Sequence, residues 1–417
     1  MGGRRVAITG IGLVNPNGGS TEEFFASLLA GESFVRHYRT DDPPRGLSMP
    51  AVRCVAFDAD KLVGKALAGS MDRFAQLGVA AAFEAWRNAG YSTEDRTEKT
   101  EGGVSWGTAL GGTLAYERGY RELWQHGRDR VSPLSVVLGM NNAASAHMAI
   151  QLGLANSCLS YTVACASAAA AIGEAYRRIR DGQADVMLTG GSDAPLCYGV
   201  ARAWEALRVL APGDESNAPR ACRPFAANRG GLVLGEGAAA LVLEEWQHAL
   251  DRGALILAEL AGYGATSDHS HLVRPDVRGQ VRAIDLALAD AGLDADQIDY
   301  VNAHGTATRE GDPTEVEALK HVFGSRAASL PVSATKSMHG HMMGASGAIE
   351  AVLTVLALRQ DALPPTAHLD TVDPCCSGVR HIVGEALRDT GAHVALSNSF
   401  AFGGSNAVLA IRTDRNP

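Results

Sequence analysis

Four segments of this 417-residue chain put reactive side-chain types where the backbone changes direction. In the first, Tyr161-Thr-Val-Ala-Cys165-Ala-Ser167, an apolar stretch runs into an alanine-rich run reaching Gly182. That pattern predicts a strand feeding a helix, with the Cys165 thiol at the helix N-terminus. Unpaired N–H groups and the helix dipole favour a thiolate there, and the same N–H groups can hold an oxyanion. By itself Cys165 is no more telling than the other six cysteines, since a buried free thiol is commonly inert. The second segment, Val301-Asn-Ala-His304-Gly-Thr306-Ala-Thr308, is a strand that ends in a histidine and a turn. The third runs from Ala334 to Gly347 and carries Lys336, His339 and His341. The fourth, Asn398 to Asn406, contains Phe402-Gly403-Gly404, a double glycine that lets the backbone approach a substrate closely. A metal site built from His304, His339 and His341 lacks the i,i+4 spacing and the accompanying carboxylates such sites use, so no metal is expected.

The surrounding sequence reads as alternating strands and helices, an α/β class with helices covering sheets. Strands are expected at Arg4–Thr9, Gly103–Thr108, Asp185–Leu188, Ala238–Leu243, Ala254–Ala261, Tyr300–Ala303, Val394–Ser397 and Ala407–Ile411. Helices are expected at Thr21–Ala30, Asp72–Gly90, Val277–Gly292, Asp312–Val322 and Gly347–Leu358. Gly10-Ile-Gly12 and Asn15-Pro-Asn-Gly18 read as breakers after the first strand, not as a dinucleotide loop, because Pro16 stands where a helix would open. Gly-Gly-Ser occurs at Gly190–Ser192 and Gly403–Ser405, each expected just after a strand. Polar residues near Glu244–Gly253 suggest a seam, dividing the chain into 1–253 and 254–417.

The composition narrows the classes. A net charge of −9 gives no basic field for nucleic acid. Seven cysteines without a C-x-x-C pair fit a reducing compartment, and no apolar run is long enough to span a membrane, so a cytoplasmic location is expected. The 47 glycines exceed the usual share, with no three-residue period.

Together the four segments resemble the β-ketoacyl-(acyl carrier protein) synthases of the elongating, decarboxylating type. The motifs are Ala164-Cys165-Ala166-Ser167, His304-Gly-Thr-x-Thr308, Lys336-Ser-x-x-Gly-His341 and Phe402-Gly-Gly-x-Asn406, in family order and spread over nearly the whole chain. The resemblance implies a thiolase fold, two similar α/β halves stacked as five layers α-β-α-β-α. It implies that Cys165 takes an acyl chain from a carrier-protein thioester. His304 and His341 then stabilise the enolate formed when a malonyl thioester loses CO2. The N–H groups of Cys165 and Phe402 form the oxyanion hole, and Lys336, paired with Glu350, tunes His304. Thr306 and Thr308 contact the phosphopantetheine arm or malonyl group, and Phe402 swings as a gate on Gly403 and Gly404. Leu110 falls where relatives line the acyl channel, and Ser135 where relatives often carry bulky aromatics near the dimer interface; both are expected to contact the acyl chain. The small Ser135 suggests a longer or more rigid chain, as in a type II polyketide or polyene pathway. No cofactor of its own is implied, because the phosphopantetheine belongs to the acyl carrier protein. A homodimer, or a heterodimer with a related subunit, is the implied assembly.

The chain departs from the pattern in places. Ala401 replaces a usual glycine before the gate, and Ser167 replaces a usual threonine. The carrier-docking segment is poor in cations, with only Lys61, Lys65 and Arg73. Arg118, Arg121, Arg128, Arg130 and Arg208 are the alternative docking positions. Competing readings are a biosynthetic thiolase, which needs a second cysteine, a priming-type synthase, which has asparagine where His341 stands, and a non-catalytic chain-length subunit, which lacks the nucleophile.

Overall fold

The computed structural model describes residues 3–42 and 45–413. Ten strands carry the architecture. In chain order they are β1 (Val6–Val14), β2 (Gly102–Gly107), β3 (Cys158–Tyr161), β4 (Val186–Asp193), β5 (Gly237–Glu245), β6 (Ala258–Ser267), β7 (Tyr300–Asn302), β8 (Pro331–Ser333), β9 (Val394–Phe400) and β10 (Ser405–Arg412). The first five pair in the order β3-β2-β4-β5-β1 and the second five in the order β8-β7-β9-β10-β6. Each half is thus third-second-fourth-fifth-first, with parallel pairing among its first three neighbours and antiparallel pairing among the rest. This repeat is invisible as residue identity. The halves join where β1 meets β6 over two residue pairs, Ala7 with Glu259 and Ile8 with Ala258. The edge strand Arg380–His381 extends the second half beyond β8.

Six helices complete the layers: α1 (Arg73–Asn88), α2 (Ala143–Leu152), α3 (Ser167–Arg180), α4 (Val277–Ala291), α5 (Gly311–Phe323) and α6 (Ser346–Arg359). Helix α1 packs on β1, β5 and β4, and α4 on β6 and β10, forming the outer layers. Helices α3 and α6 pack on each other and on strands of both halves, so they form the middle of an α-β-α-β-α stack. That position explains their composition. Every residue of α6 from Ser346 to Leu358 is buried, and a helix enclosed on all sides is apolar all round. Among the described residues no helix is long and apolar enough to cross a membrane.

Two glycine expectations are corrected. Gly10 and Gly12 do not end the first strand; β1 runs through them to Val14. A Cβ at Gly10 would lie 2.2 Å from the Ala85 carbonyl oxygen, and one at Gly12 2.2 Å from that of Ala81, so these glycines bring α1 onto the sheet. Likewise Gly190–Ser192 lies inside β4, whereas Gly403 and Gly404 form the turn between β9 and β10. The two Gly-Gly-Ser runs are not equivalent positions. Strand β8, which leads to Lys336, has no counterpart among the expected strands.

Candidate active site

The repeat places the chemistry. After β3 the chain makes a single 3-10 turn, Ala164–Ala166, before α3 begins at Ser167. After β8, the helical turn Lys336–His339 and His341, it makes the matching turn Met343–Ala345 before α6 begins at Ser346. Ala164 and Met343 both adopt left-handed backbone, at φ 50° and 49°. Such values are uncommon outside glycine and mark a constrained turn. Cys165 therefore has Gly344 as its counterpart in the second half.

The cysteine is 6% exposed. His341 Nε2 lies 2.9 Å from its sulfur, and the backbone N–H groups of Phe402 and of Cys165 itself also point at that sulfur. The expectation that the helix end holds a thiolate is corrected. Burial pushes the thiol up to about 12, with Lys336 and the two amides pulling the other way, so the resting group is a protonated thiol.

His304 lies at the end of β7, its ring edge-on to that of His341 with centroids 5.6 Å apart. Its backbone N–H and that of Gly305 each donate to the Glu315 carboxylate at 2.8 Å. Asn398 Nδ2 donates to the same carboxylate at 3.1 Å. Glu315 was missed in the sequence, where a glutamate in α5 looks like ordinary helix surface. Lys336, fully buried, donates to the His304 carbonyl oxygen at 2.6 Å and lies 3.4 Å from His304 Nδ1. Its ammonium also pairs with Glu350. Desolvation raises that carboxyl to about 7, against the pull of Lys336. Both imidazoles are held neutral, first by burial and then by the Lys336 charge.

The ring partners fix what each histidine can do. Lysine has only donors, so Lys336 leaves His304 with its proton on Nε2. Ser346 Oγ lies 2.9 Å from His341 Nδ1, and a hydroxyl can donate or accept. His341 Nε2 can therefore take a proton in one step and donate one in another.

Cys165, His304 and His341 offer ligand atoms within 4.8 Å of one another. A divalent ion placed there would meet the field of the Lys336 ammonium, which lies behind His304 at 3.4 Å from Nδ1, so the set suits an anionic intermediate better than a cation. His339, the remaining histidine of the third segment, points elsewhere, with Nε2 3.0 Å from Thr335 Oγ1.

These groups open into a pocket of about 570 Å³ lined by Thr306, Thr308, Phe400, Phe402 and Gly404 among others. Gly403 (φ 86°) and Gly404 (φ 73°) give the loop its turn, while Ala401 is absent from the positive-φ residues and keeps ordinary backbone. Leu110 and Ser135 do not line this pocket. The Leu110 N–H is tied to buried Asp193, and Ser135 opens the helix Ser135–Gly139. Of the proposed docking cations, Arg73 is committed to Glu236, Arg121 to Asp42 and Glu117, and Arg128 to Glu122. Only Arg208 lines the pocket; Arg274 and Arg309, not foreseen, join it. No cysteine besides Cys165 lines the pocket among the described residues, so two-thiol chemistry has no second thiol.

The family model Beta-ketoacyl synthase, N-terminal domain, matches residues 3–249, and Beta-ketoacyl synthase, C-terminal domain, matches residues 257–370. The chain is 42% identical to Nodulation protein E of Rhizobium sp. (strain N33), over 98% of this chain and 99% of that protein. It is 38% identical to 3-oxoacyl-[acyl-carrier-protein] synthase 2 of Staphylococcus aureus (strain N315), over 98% of each. Among solved structures, the ishigamide ketosynthase/chain length factor superposes with a TM-score of 0.91 at 32% identity, covering 99% of this chain and 100% of that one.

Proposed function

This chain belongs to the β-ketoacyl synthase family, and on that premise we propose that it catalyses decarboxylative condensation of a malonyl-acyl carrier protein with an acyl chain held on Cys165. The observation that carries the reading is the convergence of Cys165, His304, His341 and Lys336 in one buried site from two halves of the fold. Halves 1–253 and 254–417 are part of this reading, supported by the repeated strand order.

In the first half-reaction the Cys165 sulfur attacks the acyl thioester. Its proton ends on the departing pantetheine sulfur, and His341 Nε2, 2.9 Å away, is placed to carry it. The carbonyl oxygen becomes an anion facing the Cys165 and Phe402 amides. In the second, the malonyl carboxylate leaves as CO2, and the electron pair passes to the thioester oxygen as an enolate. Two neutral Nε2–H donors stabilise it: His304, fixed by Lys336, and His341, with Ser346 now donating to Nδ1. The enolate carbon attacks the acyl carbon, the bond to Cys165 breaks, and the departing thiolate takes up one proton from solvent by way of His341 Nε2, which restores the thiol.

Thr306 and Thr308, whose hydroxyls lie 3.1 Å apart, are assigned to the pantetheine arm or malonyl group. Arg208, Arg274 and Arg309 have no carboxylate within ion-pair distance among the described residues, and all three line the mouth. We assign them to the carrier protein and its phosphodiester, against a chain charge of −9. The only group carried in is the carrier's phosphopantetheine.

The subunit partner belongs on the face around β3. Among the described residues this strand is a sheet edge, paired only with β2. Leu159 on this strand is 42% exposed, and the helix α2 that packs on it exposes Ile150 (66%), an apolar surface that stays soluble best when covered. A second copy or a related chain-length subunit would cover it and bring Ser135 and Leu110 toward the acyl end. A cytoplasmic location suits the seven unpaired cysteines.

The test is intact-protein mass after mixing with acyl carrier thioesters. An acyl adduct that disappears in Cys165→Ala, and that malonyl carrier protein discharges with release of CO2, is the expected result. Absence of an adduct with every acyl donor would refute the reading. Sizing the chain alone and with its genomic neighbour separates homodimer from heterodimer.

A further inference from the structure

Trp204 is one residue that neither the motifs nor the mechanism uses. It lies on the helix Tyr198–Leu207, half-buried, and its indole stacks on the Phe402 ring at 5.8 Å between centroids and 21° between planes. The helix is a fixed platform. The backbone N–H groups of Tyr198 and Gly199 donate to the Glu117 carboxylate at 3.2 and 2.8 Å. Arg202 donates to the Gly46 carbonyl at 2.7 Å, and Ala201 is fully buried.

The other partner of the stack is on the glycine turn between β9 and β10. Gly403 and Gly404 both have positive φ, and a Cβ at Gly403 would meet nothing within 4 Å. Gly403 N–H at the tip donates to the Leu272 carbonyl at 2.6 Å, and the ends of the loop are tied by Ala401 N–H to the Ser405 carbonyl at 2.8 Å, Gly404 N–H to the Ala401 carbonyl at 3.1 Å, Asp268 N–H to the Gly404 carbonyl at 2.8 Å and Asn406 Nδ2 to Asp268 at 2.6 Å. Leu272 is itself 74% exposed, so the first of these rests on a surface segment. Among the described residues, the Trp204 indole is the aromatic ring that stacks on the Phe402 side chain, and it comes from a helix.

We propose that Trp204 is a positioning residue that clamps Phe402 in the closed state, keeping its N–H aimed at the acyl-transfer centre and its ring across the way to Cys165. The inference rests on the reading of Phe402 as gate and oxyanion donor. Loss of the clamp has two opposite consequences. Acyl transfer slows, because the amide is no longer held in place. Bulky reagents reach Cys165 faster, because the ring no longer blocks them. A merely structural role would lower both together.

The experiment compares wild type, Trp204→Ala, Trp204→Phe and Phe402→Ala, each checked for an unchanged melting temperature. The readouts are alkylation of Cys165 by a long-chain N-alkylmaleimide, and kcat and KM for acylation by an acyl carrier thioester. Trp204→Ala should raise alkylation about 2- to 10-fold and lower kcat by a similar factor with little change in KM, and Trp204→Phe should restore both. A folded Trp204→Ala enzyme with both readouts at wild-type level, or with both reduced, overturns the clamp, as does a Trp204→Phe enzyme that restores neither. Phe402→Ala separates the premise: if it leaves alkylation unchanged, the gate reading fails; if it raises alkylation while Trp204→Ala does not, the clamp alone fails.

Discussion

The sulfur of Cys165 and Nε2 of His341 lie 2.9 Å apart although 176 positions separate the two residues in the chain. Each sits just before or at the turn that opens a central helix, one in each half, and the stacking of α3 on α6 brings them together. Because Ser346 can serve His341 as donor or acceptor while Lys336 can serve His304 only as donor, the two histidines are not interchangeable. His304→Ala should cut malonyl decarboxylation by about two to three orders of magnitude while Cys165 still acquires an acyl group. His341→Ala should slow both steps. Separate assays of acyl-adduct mass and CO2 release check this, and equal effects of both variants on both steps would contradict it.

Burial leaves Cys165 a thiol at neutral pH, so the thiolate fraction grows with pH throughout the accessible range. The rate of alkylation by iodoacetamide should rise about tenfold per pH unit from 7 to 9 without levelling off. A plateau below pH 8 would mean that the helix end and the amides hold a preformed thiolate. Lys336→Ala should lower the rate at every pH, since its charge favours the anion.

Lys336 and Glu350 form an ion pair with neither side chain exposed. Removing Glu350 strands the buried Lys336 charge, so Glu350→Ala should cost about 3–5 kcal/mol, whereas Lys336→Ala should cost less because the Glu350 carboxyl can then take up a proton, and the double change Lys336→Met, Glu350→Leu should recover most of the loss without activity. Denaturant midpoints decide, and a single variant as stable as wild type would remove the argument.

His339 is buried and neutral in the folded chain, pushed down to about 3 chiefly by desolvation. The unfolded chain binds this proton below about pH 6.5 and the folded chain does not, so this residue makes stability fall as pH falls through that value. Buried Asp193, raised to about 6, and Asp312, raised to about 7, act in the opposite direction, so the difference between variants is the informative quantity. Between pH 6 and 4, His339→Gln should lose stability less steeply than wild type by about 1.4 kcal/mol per pH unit. Parallel curves would refute the assignment.

A Cβ at Gly107 would lie 2.4 Å from the backbone nitrogen of Ala168, at the start of the helix that carries the nucleophile. Gly107→Ala should destabilise by about 1–3 kcal/mol and depress acylation by displacing Cys165. Gly119, inside the helix Thr113–Tyr120, has its nearest neighbour at 3.6 Å, so Gly119→Ala should be neutral or stabilise by up to about 1 kcal/mol. Thermal melts of the pair test whether close approach, not glycine as such, is what matters.

The sequence by itself determined the reactive groups, because their identities are written in four short motifs, and it determined the long helices, because α1, α4 and α5 repeat their apolar residues every three to four positions. It also carried Lys336, through its motif, and the pairing with Glu350, through the family resemblance. Tertiary structure alone decided the rest. The protonation of Cys165 depends on how much water the stacked layers exclude, which no local pattern records. Glu315 anchors His304 only because α5 packs its carboxylate under that turn. The aromatic clamp of Trp204 on Phe402 joins residues from opposite halves. Gly10 and Gly12 look like turn signals along the chain, since only the helix lying across them shows that they serve close packing. The repeat of the two halves is legible in strand order and in the paired turns at Ala164 and Met343, where geometry is kept while the residues, and the chemistry they carry, differ.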